Sequence, residues 1–316
     1  MTRPACHPGR TASYPPLPHP HPSPASAKRE MRWGAAGGVT RAIMGCMTTS
    51  QTPIAMTIAG SEATGGAGAQ ADLKTFQALG VYGCLALTCI VSFDPKNGWA
   101  HRLTPVDQQT LQDQLEVNTT VYDLDAVKIG MLGSPDTIAT VAEVLTEQKP
   151  RRIVLDPVLI CKGQEPGAAL DTDEALKAKI LPLADFVTPN HFESLSLSGL
   201  EAIDTVEDLE KAARIIHERS GAAVLAKGGV RLDGDDAVDV FYDGQTTEVL
   251  SAPKIGEVQV AGAGCSLAAA VTAELAQGRT PLEAARAAKD FVTRGIEARI
   301  SSHAPFDSLR QINRLA

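Results

Sequence analysis

Aromatic residues are scarce in this sequence. They make up 4% of its 316 residues, so alanine and aliphatic side chains must fill the core. The chain also lacks a run of 18 apolar residues, so we expect no membrane span. Its six cysteines include no CxxC pair and no zinc-ligand spacing, which is typical of free thiols in a reducing cytoplasm.

The net charge of −8 is unevenly distributed along the chain. Residues 1–46 contain six of the 29 lysines and arginines but only one of the 37 acidic residues, so the remainder is strongly acidic. An acidic body argues against nucleic acid as a partner. A site for a phosphate must therefore rely on backbone N–H groups, a metal ion and a few local cations.

Residues 1–46 include the stretch ASYPPLPHPHPSPAS, which is rich in proline, histidine and serine and has no apolar period. This composition predicts a disordered or polyproline-like N-terminal extension. Met44 or Met47 is an alternative start of the chain. We expect the folded domain to occupy residues 47–316.

From residue 54 onward, apolar runs of strand length alternate with segments of helical period. Strands are predicted at 54–60, 84–91, 125–130, 152–156, 184–190 and 222–229, with a hairpin around 243–244. Helices are predicted at 69–79, 104–116, 134–148, 171–181, 205–221, 264–277 and 281–299, with a further helix start after 190. Strands that alternate with helices predict a parallel sheet covered on both faces.

Polar or glycine-bearing residues follow four of these predicted strands. They are Gly60-Ser61, Asp156-Pro157, Thr188-Pro189-Asn190 and Lys227-Gly228-Gly229. Ligands of parallel α/β sheets bind beyond the carboxyl ends of the strands. We therefore expect a ligand site at this edge of the sheet.

The stretch AGAGCSLAAA, residues 261–270, places Gly262, Ala263 and Gly264 before a predicted helix. Glycines allow a phosphate to approach the backbone, and the unpaired N–H groups of a first helical turn attract anions. Cys265 follows in that turn, where the helix dipole should lower the pKa of its thiol. Two interpretations remain: Cys265 accepts a proton from a hydroxyl group, or it is a small buried residue.

Two further segments predict loops over the site. The glycine-rich segment GSEATGGAGAQADLK, residues 60–74, fits neither a Walker A loop nor a GxGxxG motif. It predicts a flap over a small substrate with Asp72 reaching in, or a loop that only turns the chain. The segment DPVLICKG, residues 156–163, predicts a lid that carries Cys161, and a small buried thiol is the alternative.

Two motifs predict contacts with phosphate or metal. Asn190 and Glu193 in NHFE predict either a site for Mg²⁺ beside phosphates or a capping box at a helix start. Lys227 ends a strand and predicts a contact with a nucleotide phosphate. Its alternative is a surface lysine whose stem packs on apolar neighbours.

In their order along the chain, these motifs resemble the ribokinase-like kinases of vitamin precursors, in the branch of the hydroxymethylpyrimidine kinases and pyridoxal kinases. The segments are MTIAGSEATGGAGAQADLKTFQALGVYG, KIGMLGS, DPVLICKG, VTPNHFE, AKGG and GAGCSLAAAVTAELAQG, within residues 54–299. The resemblance implies a single three-layer α/β/α domain with a mostly parallel sheet, and a homodimer. It also implies phosphorylation of a hydroxymethyl group on a small aromatic heterocycle by ATP with Mg²⁺.

The resemblance also implies roles for individual residues. Cys265 would be the base, Cys161 would act from the lid, and the anion hole would be Gly262, Ala263 and Gly264. The nucleotide would contact Asn190, Lys227 and Gly229, and Mg²⁺ would be held by Asp156 and Glu193. The ring pocket would be lined by Gly60, Ser61, Asp72, Cys89, Phe93, Met131 and Val158.

One stretch bears on the substrate. Pyrimidine kinases of the family commonly have VAQN after the second strand, and its glutamine binds the aminopyrimidine edge. Here the stretch is VSFDPKNGWAH, with Phe93 in place of the glutamine, then Asp94, Trp99 and His101. With Cys161 in CKG, it is similar to pyridoxal kinases. We expect pyridoxal, pyridoxine and pyridoxamine as substrates, in vitamin B6 salvage. Hydroxymethylpyrimidine and its phosphate, in thiamine biosynthesis, are the alternative.

The sequence departs from the family pattern at two places. Ala261 stands where the family usually has histidine, and the C-terminal GPxxH segment appears only as APFD, residues 304–307. Neither change removes Cys265 or the glycines, so we expect an active kinase. The alternatives are a binding module without transfer and a sugar kinase, and Cys265 in place of an aspartate base argues against the latter.

Overall fold

The computed structural model describes residues 52–158, 166–256 and 258–313. Its strands are β1 (Ile54–Glu62), β2 (Tyr82–Asp94), β3 (Ala100–Pro105), β4 (Ala126–Ile129), β5 (Ile153–Leu155), β6 (Phe186–Val187), β7 (Ala223–Gly229), β8 (Asp236–Tyr242), β9 (Thr247–Pro253), β10 (Gln259–Ala261) and β11 (Phe306–Ser308). Its helices are α1 (Gly68–Ala78), α2 (Gln108–Val121), α3 (Pro135–Gln148), α4 (Pro166–Lys179), α5 (His191–Ser198), α6 (Val206–Ser220), α7 (Ala263–Ala276) and α8 (Pro281–Glu297).

Nine strands form one sheet in the order β3-β2-β1-β4-β5-β6-β7-β8-β9. The run from β2 to β7 is parallel. β3 at one edge and β8 and β9 at the other are antiparallel. β10 and β11 pair separately, in parallel. The predicted mostly parallel sheet is confirmed.

Helices cover both faces of the sheet, because successive side chains of a buried strand point to opposite sides. Met56 and Ile58 pack into a core that includes residues of α2, α3, α4, α5 and α6. Ala55, which directly precedes Met56, packs into a second core with residues of α1, α7 and α8. The result is the predicted three-layer α/β/α architecture.

The prediction that Thr104-Pro105 begins a helix was wrong. Both residues belong to β3, where Pro105 pairs with Cys89 at the edge of the sheet, a position that tolerates the missing N–H of proline. α2 begins instead after Asp107, whose carboxylate accepts the N–H of Thr110 at 3.0 Å. Asp107 is thus the N-cap that the sequence reading overlooked.

The predicted extension at residues 1–46 lies outside the described residues. Within the described ranges, no helix combines the length and apolar character needed to cross a membrane.

Candidate active site

A first cavity of about 610 Å³ lies at the carboxyl ends of the parallel strands. Gly60 near the end of β1, Phe93 near the end of β2, Met131 after β4 and Val158 after β5 all line it. These are four of the residues predicted for the ring pocket. A side chain at Gly60 would not fit, because its Cβ would lie 2.7 Å from Sγ of Cys89.

One wall of this first cavity is aromatic. Phe93, Trp99, His101 and Phe306 all line it. The ring of Phe93 lies 4.9 Å from that of His101 and 5.2 Å from that of Phe306, between centroids. Trp99 meets Phe306 edge-on at 5.8 Å. Such a wall offers flat apolar contact to an aromatic ligand.

A second cavity of about 510 Å³ is lined by β7, β8, the segment 252–260, α7 and α8. Three cations line it: Lys227 at the end of β7, Lys254 after β9 and Lys289 in α8. Nζ of Lys289 lies 2.7 Å from Oδ2 of Asp239, whose Oδ1 accepts the N–H of Gly229 at 3.2 Å. Apolar side chains such as Val258, Leu267 and Ile296 form much of the remainder, together with further residues of the segment and the helices.

The first turn of α7 separates the two cavities. Gly262 and Cys265 line the first cavity, whereas Ala263 and Gly264 line the second. Gly262 has a φ of +80°, and a Cβ there would lie 1.8 Å from the carbonyl oxygen of Gly66. Only glycine therefore fits this position, and it brings the N–H groups of the turn to the junction of the cavities.

The thiol of Cys265 does not have the lowered pKa that its place in the helix predicted. Burial raises its pKa to about 12, and the charge of Asp156 adds to the effect. Lys128 acts in the opposite direction and favours the thiolate. The sequence prediction was wrong because it weighed the helix dipole without the burial and the nearby carboxylates.

Asp156, Glu193 and Lys227 form a charged cluster beside the second cavity. Nζ of Lys227 lies 3.4 Å from Oδ1 of Asp156, and both side chains are largely buried. Burial raises the pKa of Glu193 to about 8, against the opposing charge of Lys227 and with support from Asp156. A buried carboxyl group whose ionisation is disfavoured by a neighbouring carboxylate is suited to a cation site.

The structure confirms the capping-box interpretation of NHFE. Oδ1 of Asn190 accepts the N–H of Glu193 at 3.0 Å, and Oε2 of Glu193 accepts the N–H of Asn190 at 2.7 Å. This capping box begins α5. It still leaves Oε1 of Glu193 outside the box. Across the described residues, no group of three or more His, Cys, Asp or Glu side chains could hold a metal, so water or ligand oxygens must complete any such site.

Asp72 is not one of the residues that line the first cavity, and its side chain is fully buried. Its Oδ2 lies 3.0 Å from Nζ of Lys128 and accepts the hydroxyl of Thr57 at 2.6 Å. Lys128, by contrast, does line the cavity. Burial lowers the pKa of Lys128, but the carboxylates of Asp72 and Asp156 outweigh burial and hold it above its ordinary value. Any effect of Asp72 on a ligand must pass through this lysine.

Two other predicted ring-pocket residues support the cavity from behind. Cys89 is buried, with Sγ 3.7 Å from Sδ of Met131. The hydroxyl of Ser61 accepts from the side-chain amide of Gln70 at 2.7 Å. Cys161 lies outside the described residues.

The glycine-rich loop between β1 and α1 is organised by Glu62, which the sequence reading missed. Its carboxylate accepts the backbone N–H groups of Thr64, Gly66 and Ala67 at 2.7, 3.1 and 3.2 Å. Glu62 is 6% exposed and lines the first cavity. An acidic residue at the end of a buried strand and before a glycine cluster is the signal that could have identified it.

Together, the three-layer fold and a helix N-terminus between two cavities define an α/β phosphotransferase. The sequence matches the profile of the phosphomethylpyrimidine kinase family over residues 62–307. It is 46% identical over 243 residues to pyridoxine kinase of Bacillus subtilis, covering 77% of this chain and 90% of the relative. It is 37% identical to a hydroxymethylpyrimidine/phosphomethylpyrimidine kinase of Haemophilus influenzae, covering 76% and 90%. The chain belongs to the phosphomethylpyrimidine kinase family.

Solved structures agree with this assignment. The ADP complex of Bacillus subtilis pyridoxal kinase superposes with a TM-score of 0.79 at 43% identity, covering 83% of this chain and 98% of that one. Staphylococcus aureus pyridoxal kinase with AMP-PCP and pyridoxal gives 0.77 at 40% identity, covering 83% and 94%. The resemblance to the vitamin kinases, the fold and the prediction of an ATP-dependent kinase are confirmed.

Proposed function

We propose that the protein transfers the γ-phosphoryl group of ATP to the hydroxymethyl group of pyridoxal, pyridoxine or pyridoxamine, as in vitamin B6 salvage. One observation carries the proposal: the first turn of α7 faces both cavities, with Cys265 on one side and Gly264 on the other. A phosphoryl group that moves between ligands in the two cavities passes the N–H groups of this turn. These groups suit the negative charge of the transferring phosphoryl group.

The assignment of the two ligands follows from the linings. The first cavity has an aromatic wall and suits a heteroaromatic ring. The second has Lys227 and Lys289 together with apolar side chains, and it suits a nucleotide. Relatives with these activities are the pyridoxine kinase of Bacillus subtilis and the Staphylococcus aureus kinase that binds AMP-PCP and pyridoxal.

In this mechanism the protein mainly positions the two substrates and neutralises phosphate charge, because the transition state of phosphoryl transfer is loose. The N–H groups of Gly262, Ala263 and Gly264 hold the transferring group. Lys227, with Gly229 and Asn190 nearby, neutralises phosphate charge from the nucleotide side. Sγ of Cys265 accepts the hydroxymethyl proton, and Lys128 favours the thiolate that this step needs.

Asp156 and Glu193 fit a bound Mg²⁺, since burial and the like charge of Asp156 raise the pKa of Glu193 and a cation would relieve both effects. When bound, Mg²⁺ supplies neutralisation of phosphate and carboxylate charge. Asp156 is also one of the groups that raise the pKa of the Cys265 thiol. Compensation of the Asp156 charge would therefore favour the thiolate.

The second candidate function is phosphorylation of hydroxymethylpyrimidine or its phosphate. The match to the phosphomethylpyrimidine kinase profile and to the Haemophilus influenzae enzyme favours it. Phe93 argues against it, because a phenylalanine cannot bind the aminopyrimidine edge as a glutamine does. A role for Cys161 in the lid, a homodimer and a cytoplasmic location stay predictions.

The experiment is ATP consumption by the purified protein with Mg²⁺, run in parallel on pyridoxal and on hydroxymethylpyrimidine. We expect a higher kcat/KM for pyridoxal. Turnover of the pyrimidine alone would replace the first proposal with the second. Absence of turnover on both substrates, with ATP still bound, would indicate a binding module without transfer. Ala261, which replaces the histidine usual in the family, would then be the first residue to test.

A further inference from the structure

Phe306 lies in β11, far along the chain from the other aromatic residues of the first cavity. Its ring lines the cavity and lies 5.2 Å from Phe93 and 5.8 Å from Trp99, between centroids. It therefore contacts both the end of β2 and the turn that connects β2 to β3. Phe306 is the side chain that joins these two aromatic residues to the C-terminal part of the domain.

The partner rings are themselves fixed in place. Trp99 has a φ of +62°, which is rare for a large side chain. The backbone N–H of Trp99 donates to the carbonyl of Asp94 at 2.9 Å, and this bond closes the turn. The ring of Phe93 meets that of His101 edge-on. A backbone strain kept at a cavity wall is consistent with a functional demand on the position of that wall.

Phe306 is held by backbone pairing. β11 is parallel to β10, with Phe306 opposite Gln259 and Ser308 opposite Ala261. The N–H of Leu309 donates to the carbonyl of Ala261 at 3.1 Å. Since Ala261 directly precedes Gly262, the strand that carries Phe306 also supports the backbone that enters the first turn of α7.

A partly buried ion pair anchors the other side of β11. Asp307 follows Phe306, and its Oδ2 lies 3.1 Å from Nε of Arg299, beyond the end of α8. Its Oδ1 accepts the N–H of Ser302 at 3.2 Å. The APFD segment, which lacks the histidine usual in the family, thus places an aromatic ring in the cavity and a carboxylate against Arg299.

We propose that Phe306 is a specificity-determining residue, whose ring completes the aromatic wall and selects pyridine rings over aminopyrimidine rings. The inference rests on the proposed function and extends it. Neither Phe93 nor Phe306 can accept or donate a conventional hydrogen bond. An amino group pressed against them loses its water without gaining a partner, which is a large penalty. A pyridine ring loses less, because more of its edge is apolar.

The test compares Phe306→Leu with the unaltered protein on pyridoxal, hydroxymethylpyrimidine and ATP. Leucine keeps an apolar side chain but removes the ring. We expect the KM for pyridoxal to rise about tenfold, as for the loss of aromatic contacts. The KM for hydroxymethylpyrimidine should rise less, because water can then reach its amino group. The KM for ATP should stay within about twofold, since Phe306 does not line the second cavity.

Three further variants sharpen the comparison. Phe306→Tyr restores the ring and should keep the preference for pyridoxal. Tyr82→Leu removes half of an exposed aromatic pair with Tyr122 and should change none of the constants. If Phe306→Leu does not fold, Phe306→Met takes its place, because methionine also keeps an apolar side chain but removes the ring.

The outcomes separate the inference from the function on which it rests. If the unaltered protein does not phosphorylate pyridoxal, the proposed function fails. If it does, and Phe306→Leu (or Phe306→Met in its place) keeps the original selectivity, the inference about Phe306 is overturned. It is also overturned if the KM for ATP rises as much as that for pyridoxal, because the residue would then only support β10 and α7.

Discussion

Nζ of Lys128 lies 3.0 Å from Oδ2 of Asp72, and neither side chain is exposed to solvent. The pair joins β4 to α1 beneath the first cavity. Oδ1 of Asp72 has no hydrogen-bond partner, so the buried carboxylate is stabilised by Lys128 and by the hydroxyl of Thr57 at its other oxygen. Burying two charges is favourable only while both are present.

Lys128→Met should therefore destabilise the protein by about 3–5 kcal/mol at pH 7, as measured by urea unfolding. Asp72 would be left buried without its cation. The loss should be smaller near pH 4. There the carboxyl group of Asp72 is already partly protonated in the unfolded chain, so little free energy is needed to bury it in neutral form.

The double variant Asp72→Leu/Lys128→Met supplies the control for charge. It should recover much of the lost stability, because an apolar pair can replace a buried ion pair. Arg294→Met removes an exposed pair with Asp290 and should cost less than about 0.5 kcal/mol. If Lys128→Met unfolds at the urea concentration of the unaltered protein, the pair has no part in stability.

The same pair shows where prediction from sequence ends. Its lysine sits inside the apolar run DAVKIG, which identifies a buried strand but not the partner of the charge. The sequence predicted that Asp72 reaches into the site, but the direction of its side chain depends on how α1 packs on β1. Alternation of strands and helices is local and predicted the layers well. Cross-chain pairings such as this one depend on tertiary packing.

The aromatic wall makes a related point. Phe93 was predicted from its local motif, and that motif also named Trp99 and His101. Phe306 was missed because β10 and β11 are three residues each, too short for a periodic signal. The pKa of Cys265 was misjudged because burial is a property of the fold, whereas its position at a helix start can be read from the sequence.

Gly262→Ala should disrupt the junction of the two cavities. The added Cβ would lie 1.8 Å from the carbonyl oxygen of Gly66, at a φ of +80°. The backbone strain alone costs about 1–3 kcal/mol, and the clash adds to it. We expect a lower melting temperature and loss of nearly all turnover.

Two other glycines separate the backbone strain of Gly262→Ala from its contact with Gly66. Gly278 has a φ of +85° with nothing near its Cβ position, so Gly278→Ala reports the backbone strain alone. Gly264→Ala would place its Cβ 3.5 Å from Nζ of Lys227, an ordinary contact, and should hardly change the melting temperature. Equal destabilisation by Gly262→Ala and Gly278→Ala would mean that the contact with Gly66 is unimportant.

Lys289→Met should weaken nucleotide binding without abolishing transfer. Lys289 holds Asp239, and Asp239 holds the N–H of Gly229 at the end of β7, two residues from Lys227. We expect the KM for ATP to rise about tenfold with a smaller change in kcat, as for loss of a charge-assisted hydrogen bond.

Arg286→Met is the matched control for this change. Arg286 lies one turn earlier on α8 and pairs with Glu248 of β9, but it does not line the second cavity. It should leave the KM for ATP unchanged. A rise of equal size in both variants would assign the effect to the packing of α8 rather than to the Asp239 contact.

The reactivity of Cys265 should follow its raised pKa. Alkylation needs the thiolate, so the rate should still be increasing at pH 10 rather than reaching a plateau near 9. We would measure the alkylation of the Cys265 peptide by iodoacetamide, by mass spectrometry, from pH 7 to 10.5. The same peptide in urea-unfolded protein is the control, and its rate should level off about 1 pH unit above the ordinary thiol pKa of about 8.5.

The folded state holds this proton between pH 9 and about 12, so the residue also makes stability fall as pH rises through that range. A plateau near neutral pH in the folded protein would instead mean that the helix dipole and Lys128 outweigh burial, as the sequence alone had suggested.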